Sequence, residues 1–247
     1  MTFFQIKAFL SAPNFFVEWL NTLHKTFIED DRYTWLLEGI GNTFLITLCA
    51  LVIGVLLGSV VAIVKYFADG VPALKPLDVI CDIYTTTIRG IPMTVLLLIF
   101  YYLILRSAEG VTVAVIAFGI NSGAYMAELI RSGINAVDAG QMEAGRSLGM
   151  SRLQTMYKII LPQAVKNILP AIGNELIALL KETSVAGYVA VMDLTRAGNL
   201  IRNNTYDAFN PLLAVAIVYL TIVVVLTQLL NKLERRLHKS DRRKRSL

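Results

Sequence analysis

Residues 39–64 run for 26 positions without a charged side chain. A helix of about 20 apolar residues crosses the hydrocarbon of a bilayer. Lipid offers no partner to a bare backbone N–H or C=O, so a stretch of this kind can only be helical if it sits there. Further apolar runs follow at 79–105, 111–130 and 211–230, and a shorter, more polar one at 163–180. With 55% hydrophobic residues the chain lies outside the range of soluble domains. The pattern predicts an all-α membrane protein with about five transmembrane helices, one membrane domain over 39–230, and no tandem repeat.

Each run has its own chemistry. Gly54 and Gly58 stand at the spacing that lets helices pack closely in a membrane. Arg89, Gly90 and Pro92 interrupt the second run, where a charge and a proline need protein or water around them. Arg89 has three options there: to reach the membrane edge, to pair with a carboxylate, or to face a pathway. Glu128 and Arg131 close the third run at i, i+3, the spacing of an ion pair. The fourth run holds Lys166, Asn167, Pro170, Asn174 and Glu175, and an ionisable group at that depth is costly unless it meets a partner or a cavity. Residues 193–210 are polar and read as an outer loop.

Charge orients the chain. Residues 231–247 hold eight Lys/Arg and two acids, whereas residues 1–38 hold three Lys/Arg and five acids. The positive-inside rule puts the basic tail, 231–247, in the cytoplasm and the N-terminus outside, which five crossings satisfy. A basic tail directly after an apolar run stops translocation and meets anionic lipid; no nucleic-acid partner is expected. Segment 1–38 mixes aromatics with charges, as amphipathic helices on a membrane interface do. Its start, MTFFQIKAFL, lacks the basic head and cleavage site of a signal peptide, so the N-terminus is expected to be retained. Cys49 and Cys81 form no disulfide or metal pattern.

Between the third and fourth runs, residues 138–162 are polar, basic and punctuated by glycine. Asp138 with Gln141, and Ser151 with Gln154, have the spacing of capping boxes, so two short helices are expected. Gly149 stands where the first must end, since glycine takes the left-handed conformation cheaply. Glu143 is followed by two nearly bare positions, Ala144 and Gly145, where another protein's surface can approach the backbone. Gly149 follows, then Ile159, Leu161 and Pro162. This spacing resembles the EAA loop of permease subunits of ATP-binding-cassette importers, complete except that Gly145 replaces the second alanine.

The resemblance extends over roughly residues 35–232 to the permeases of polar amino-acid importers. It is carried by GIGNTFLITL (39–48), IRGIP (88–92), AYMAELIRSGINAV (124–137), GQMEAGRSLG (140–149) and LPQAVKNILPAIGNELIALLKETS (161–184). It implies the type I importer permease fold, with a cytoplasmic EAA coupling helix, in a bacterial inner membrane. It also implies a second permease subunit, identical or paralogous, a cytoplasmic ATPase dimer, and an extracellular or periplasmic amino-acid-binding protein. Glu143, Ala144, Gly145 and Gly149 would then be the ATPase-coupling residues.

The chain itself holds no catalytic equipment: no phosphate-cradling GxxxxGK[ST] run, no metal-ligand cluster, and no base beside Ser184. ATP and Mg would be held by the partner ATPase, leaving no cofactor here. For substrate binding the candidates are Asn174, Glu175 and Arg89, since a carboxylate is the natural counter-charge of an amino acid's ammonium group. The alternative is structural: Glu175 pairs with Lys181 or Arg89 and holds the bundle. A permease for another small solute shares the elbow. A secondary transporter would need more helices and an internal repeat.

Overall fold

The computed structural model describes residues 15–68 and 71–245. The expected retained start of the chain lies outside them. Every regular element among them is helical. Helix α1 (Phe15–Leu23) passes through a π turn (His24–Ile28) and a 3-10 turn (Glu29–Asp31). Trp19 donates its indole N–H to Asn210 Oδ1 at 3.1 Å, and the buried Thr26 hydroxyl donates to Asp207 Oδ2 at 3.0 Å. Phe16, Val17 and Leu20 stay exposed.

Helix α2 (Tyr33–Ala68) begins six residues before the uncharged run, so Glu38 is inside it. It packs most extensively on α5 (Gly110–Asn135). A Cβ at Gly54 would stand 2.6 Å from Ser122 Oγ, and one at Gly58 would stand 2.4 Å from Met126 Cβ. The two glycines therefore bring the helices into near backbone contact, as their spacing predicts.

The second run is not one straight crossing. Helix α3 (Lys75–Gly90) and helix α4 (Met93–Ile99), which continues as a π turn (Phe100–Ile104), meet at 109°. Proline forces the residue before it out of the helical region, and Ile91 is extended at φ −95°, ψ 129°. Lys65 at the end of α2 pairs with Asp82 of α3.

The elbow comprises α6 (Gly140–Ser147) and α7 (Arg152–Thr155), the latter running through a π turn (Met156–Ile160) into α8 (Leu161–Glu182). At 1.5 Å per residue α8 is about 33 Å long, enough to cross a bilayer. Its polar residues keep it out of the helices that are apolar enough to cross. Among the described residues those are α2, α5 and the first 29 residues of α10 (Phe209–Arg245), or four if the bent α3–α4 pair counts as one.

One expectation is corrected beyond α8. The stretch 193–210 is not a loop: a 3-10 turn (Thr183–Val189) leads to α9 (Leu194–Thr205). Asp193 caps α9 by accepting the Arg196 N–H at 2.7 Å, and Leu194, Ala197, Gly198 and Ile201 form its buried stripe. Those positions follow the 3.6-residue period, so the polar residues between them lie on the other faces of a helix. Helix α10 continues unbroken through the basic stretch to Arg245, because Lys, Arg and Leu sustain a helix and no glycine or proline follows Pro211.

The apolar core lies where α2, α4, α5, α8 and the 3-10 turn converge, around Phe118, Ile46, Leu97, Leu179 and Val189. It sits at the end of the bundle away from the elbow.

Candidate functional site

The elbow is built by its termini. Ser151 and Gln154 form a complete capping box, with the Gln154 N–H reaching Ser151 Oγ at 3.2 Å and the Ser151 N–H reaching Gln154 Oε1 at 2.9 Å. Asp138 works differently from its expected box. Its Oδ1 accepts the N–H of Gly140, two residues on, at 2.7 Å. Helix α6 starts at Gly140, one residue too late for Gln141 to lie at the third helical position. At the other end Gly149 is left-handed (φ 81°), the Met150 N–H bonds Gly145 O at 3.1 Å and the Gly149 N–H bonds Arg146 O at 3.0 Å. This is the Schellman pattern, and it turns the chain sharply into α7.

Glu143 and Ala144 face solvent. Gly145 does not: a Cβ there would stand 2.4 Å from Thr155 Cγ2. Its bare face, expected to admit another protein, is filled from within by α7, so its smallness fixes the angle between α6 and α7. The elbow's exposed apolar side chains are instead Leu148 (80% exposed), Tyr157 (72%) and Leu153 (60%). They were hidden in the sequence because nothing there tells an apolar side chain on the inner face of a hairpin from one on its outer face. The Arg152 guanidinium lies 5.5 Å from the centre of the Tyr66 ring, joining the elbow to the end of α2.

A second polar constellation runs along α5. The Ser122 hydroxyl donates to Glu175 Oε1 at 3.1 Å, and Asn121 Nδ2 stands 3.5 Å from Glu182 Oε2. One turn along, the Tyr125 ring lies under the Arg89 guanidinium, 5.1 Å from its centre. Glu175 and Glu182 are seven residues apart and share a face of α8. Neither expected ion-pair partner of Glu175 is used: Lys181 is exposed and Arg89 stacks on Tyr125. Asn174 is exposed and makes none of these contacts. The structure thus brings Glu175 and Arg89 to one stripe of α5 and leaves Asn174 outside it. Glu182, Asn121 and Ser122 are additions, and the seven-residue interval between the two glutamates was the available signal.

Glu128 and Arg131 pair at 2.8 Å, as their spacing predicts. Cys49 and Cys81 are free thiols. Among the described residues no group of three or more His, Cys, Asp or Glu side chains is placed to hold a metal ion.

Known proteins resemble this chain in sequence and fold. Residues 54–239 match the family described as binding-protein-dependent transport system inner membrane component. The arginine transport system permease protein ArtQ of Bacillus subtilis (strain 168) is 36% identical over 211 residues, covering 84% of this chain and 94% of the relative. The probable glutamine ABC transporter permease protein GlnM of the same organism is 35% identical over 213 residues, covering 85% and 96%. A crystal structure of an amino acid ABC transporter with histidines superposes with a TM-score of 0.79 at 40% identity, covering 85% of this chain and 98% of the other. The inward-facing MetNI methionine ABC transporter, at 20% identity and a TM-score of 0.73 (83% and 97% covered), shares the fold. Bent second crossing, elbow and polar α8 are thus parts of the type I importer permease fold, and the chain belongs to the family of binding-protein-dependent transport system inner membrane components.

Proposed function

We propose that this chain forms the translocation path of an ATP-driven importer for a polar amino acid and takes its energy from a separate ATPase through the elbow at 138–162. The observation that carries the reading is the 40% identity, over 85% of the chain, to a chain of an amino acid ABC transporter. The relatives named as arginine and glutamine permeases support the same solute class. The chain is read as a multi-pass protein of the bacterial inner membrane, with 1–38 outside, 39–230 spanning, and 231–247 in the cytoplasm. Its partners are a second permease, a cytoplasmic ATPase dimer that holds ATP and Mg, and a solute-binding protein.

The elbow's geometry suits a contact that must transmit force. Glu143 offers an exposed carboxylate for a charge-assisted bond, about 1.5–3 kcal/mol when well made. Leu148, Leu153 and Tyr157 offer the apolar area around it. Ala144 keeps the approach close, while Gly145 and Gly149 shape the turn behind it. Solute contact is assigned to Glu175, with Arg89 on the same α5 stripe. Asn174, beside Glu175 on α8, is exposed and is the third candidate contact.

The test is ATPase activity of the chain reconstituted in lipid with its ATPase and binding protein, titrated with the twenty amino acids one at a time. Stimulation by one or a few is the expected result and names the solute. A complex that assembles and responds to none overturns the amino-acid reading.

A further inference from the structure

At the end of α8 away from the elbow, the 3-10 turn and α9 line an open pocket of about 480 Å³, within the size range of small-ligand sites. Ser184 and Gly187 line it from the turn, and Thr195, Arg196 and Asn199 from α9. No acidic side chain lines it. We propose that this cavity receives the α-carboxylate of the transported amino acid, with Arg196 as its anchor. The inference rests on the amino-acid import reading and extends it to residues outside the α5 stripe.

Arg196 is placed and only partly used. One Nη donates to Gly187 O at 2.8 Å, which leaves four of the guanidinium's five N–H groups. Asp193 lies beside it, but its oxygens are taken by the backbone: Oδ1 accepts the Arg196 N–H at 2.7 Å and Oδ2 the Gly187 N–H at 2.6 Å. Asp193 therefore ties the turn to α9 and stations the arginine. Among the described residues Arg196 makes no ion pair. The Ser184 hydroxyl and Asn199 amide make no hydrogen bond among them either. The Thr195 hydroxyl is in contact with Tyr219 Oη at 3.4 Å.

One pre-oriented guanidinium with neutral donors, whose neighbouring anion Asp193 is held by backbone N–H groups, is complementary to a carboxylate, which a guanidinium can grip with two parallel bonds. The carboxylate could come from a free amino acid or from an acidic side chain of a docking protein. A pocket of small-ligand size lined by donors from both the turn and α9 favours the free solute.

The experiment uses the complex with its ATPase, purified without the binding protein. The probes are the radiolabelled amino acid that best stimulates the wild-type ATPase and the same amino acid with its carboxyl converted to an amide. Wild type is expected to bind the acid more tightly than the amide. Arg196→Gln should weaken acid binding by about tenfold or more and erase the preference, since a charge-assisted bond is lost. Asn199→Asp leaves the Gly187 contact intact and sets a carboxylate in the cavity, so it should weaken the acid more than the amide; it carries the test if Arg196→Gln does not fold. Affinity for the binding protein should be unchanged in both. A wild type indifferent to the amide, or variants that keep the preference, overturns the proposal. So do variants that lose only binding-protein affinity, which would give the cavity to a docking carboxylate. A wild type stimulated by no amino acid overturns this inference together with the import reading; normal stimulation with indifferent variants overturns this inference alone.

Discussion

Glu175 lies half-buried between α5 and α8, where the Ser122 hydroxyl donates to it. Glutamine at this position keeps an oxygen for that hydroxyl and removes the charge, so Glu175→Gln separates a fold-holding role from a solute-binding one. We expect the variant to keep its thermal stability in detergent and to lose most amino-acid uptake in proteoliposomes. Uptake at the wild-type rate would reassign Glu175 to the scaffold. Ser122→Ala does the reverse: it leaves a partly buried carboxylate without its donor, which costs about 1–3 kcal/mol. That loss should show as a lower melting temperature before any change in solute preference.

Within the elbow, the missing side chain of Gly145 is matched by the presence of Thr155. Gly145→Ala should force α6 and α7 apart and reduce transport per ATP hydrolysed, with the spans intact. Adding Thr155→Ala removes the atoms at 2.4 and 2.7 Å and leaves Cβ at 3.1 Å, so the double variant should recover part of the coupling. No recovery would show that Gly145 acts through an external contact. Ser151→Ala removes one arm of the capping box, worth about 1 kcal/mol, and should speed amide exchange in the first turn of α7.

Helices and their ends were legible at this scale because lipid and capping impose rules a sequence must obey. The uncharged run, the Ser151 box, the Gly149 stop and the close glycines of α2 all lie where local chemistry demands. What escaped was set by packing across elements. The arrest at Pro92 was visible but its 109° angle was not, since that depends on what α3 and α4 each bury. Helix α9 escaped because a short amphipathic stripe among polar residues reads as a loop until its apolar positions are counted at helical period. Arg196 was missed with it.

Over the whole molecule, α2 and α5 form the fixed frame. Gly58→Leu would place a branched side chain where Met126 Cβ already stands 2.4 Å from the missing Cβ. Overpacking of this kind costs about 1–3 kcal/mol or more, and we expect a lower melting temperature together with poor assembly in the membrane. At the opposite corner Asp207 receives Thr26 and, through its other oxygen, the Phe209 and Asn210 amides that begin α10. Asp207→Ala should free the N-terminal segment, measurable as protease access near 23–32, while the frame stays folded.

The elbow joins the foot of α5 to the foot of α8, and two polar contacts tie these helices beyond that joint: Ser122 with Glu175, and Asn121 with Glu182. Asn121 and Ser122 are neighbours on α5, about 20 Å along the helix from its foot. A tilt of about 10° at the feet would part the helices by about 3.5 Å at that level, more than the length of a hydrogen bond. Both contacts would then break together, which would turn one small angular displacement into a single opening of the stripe.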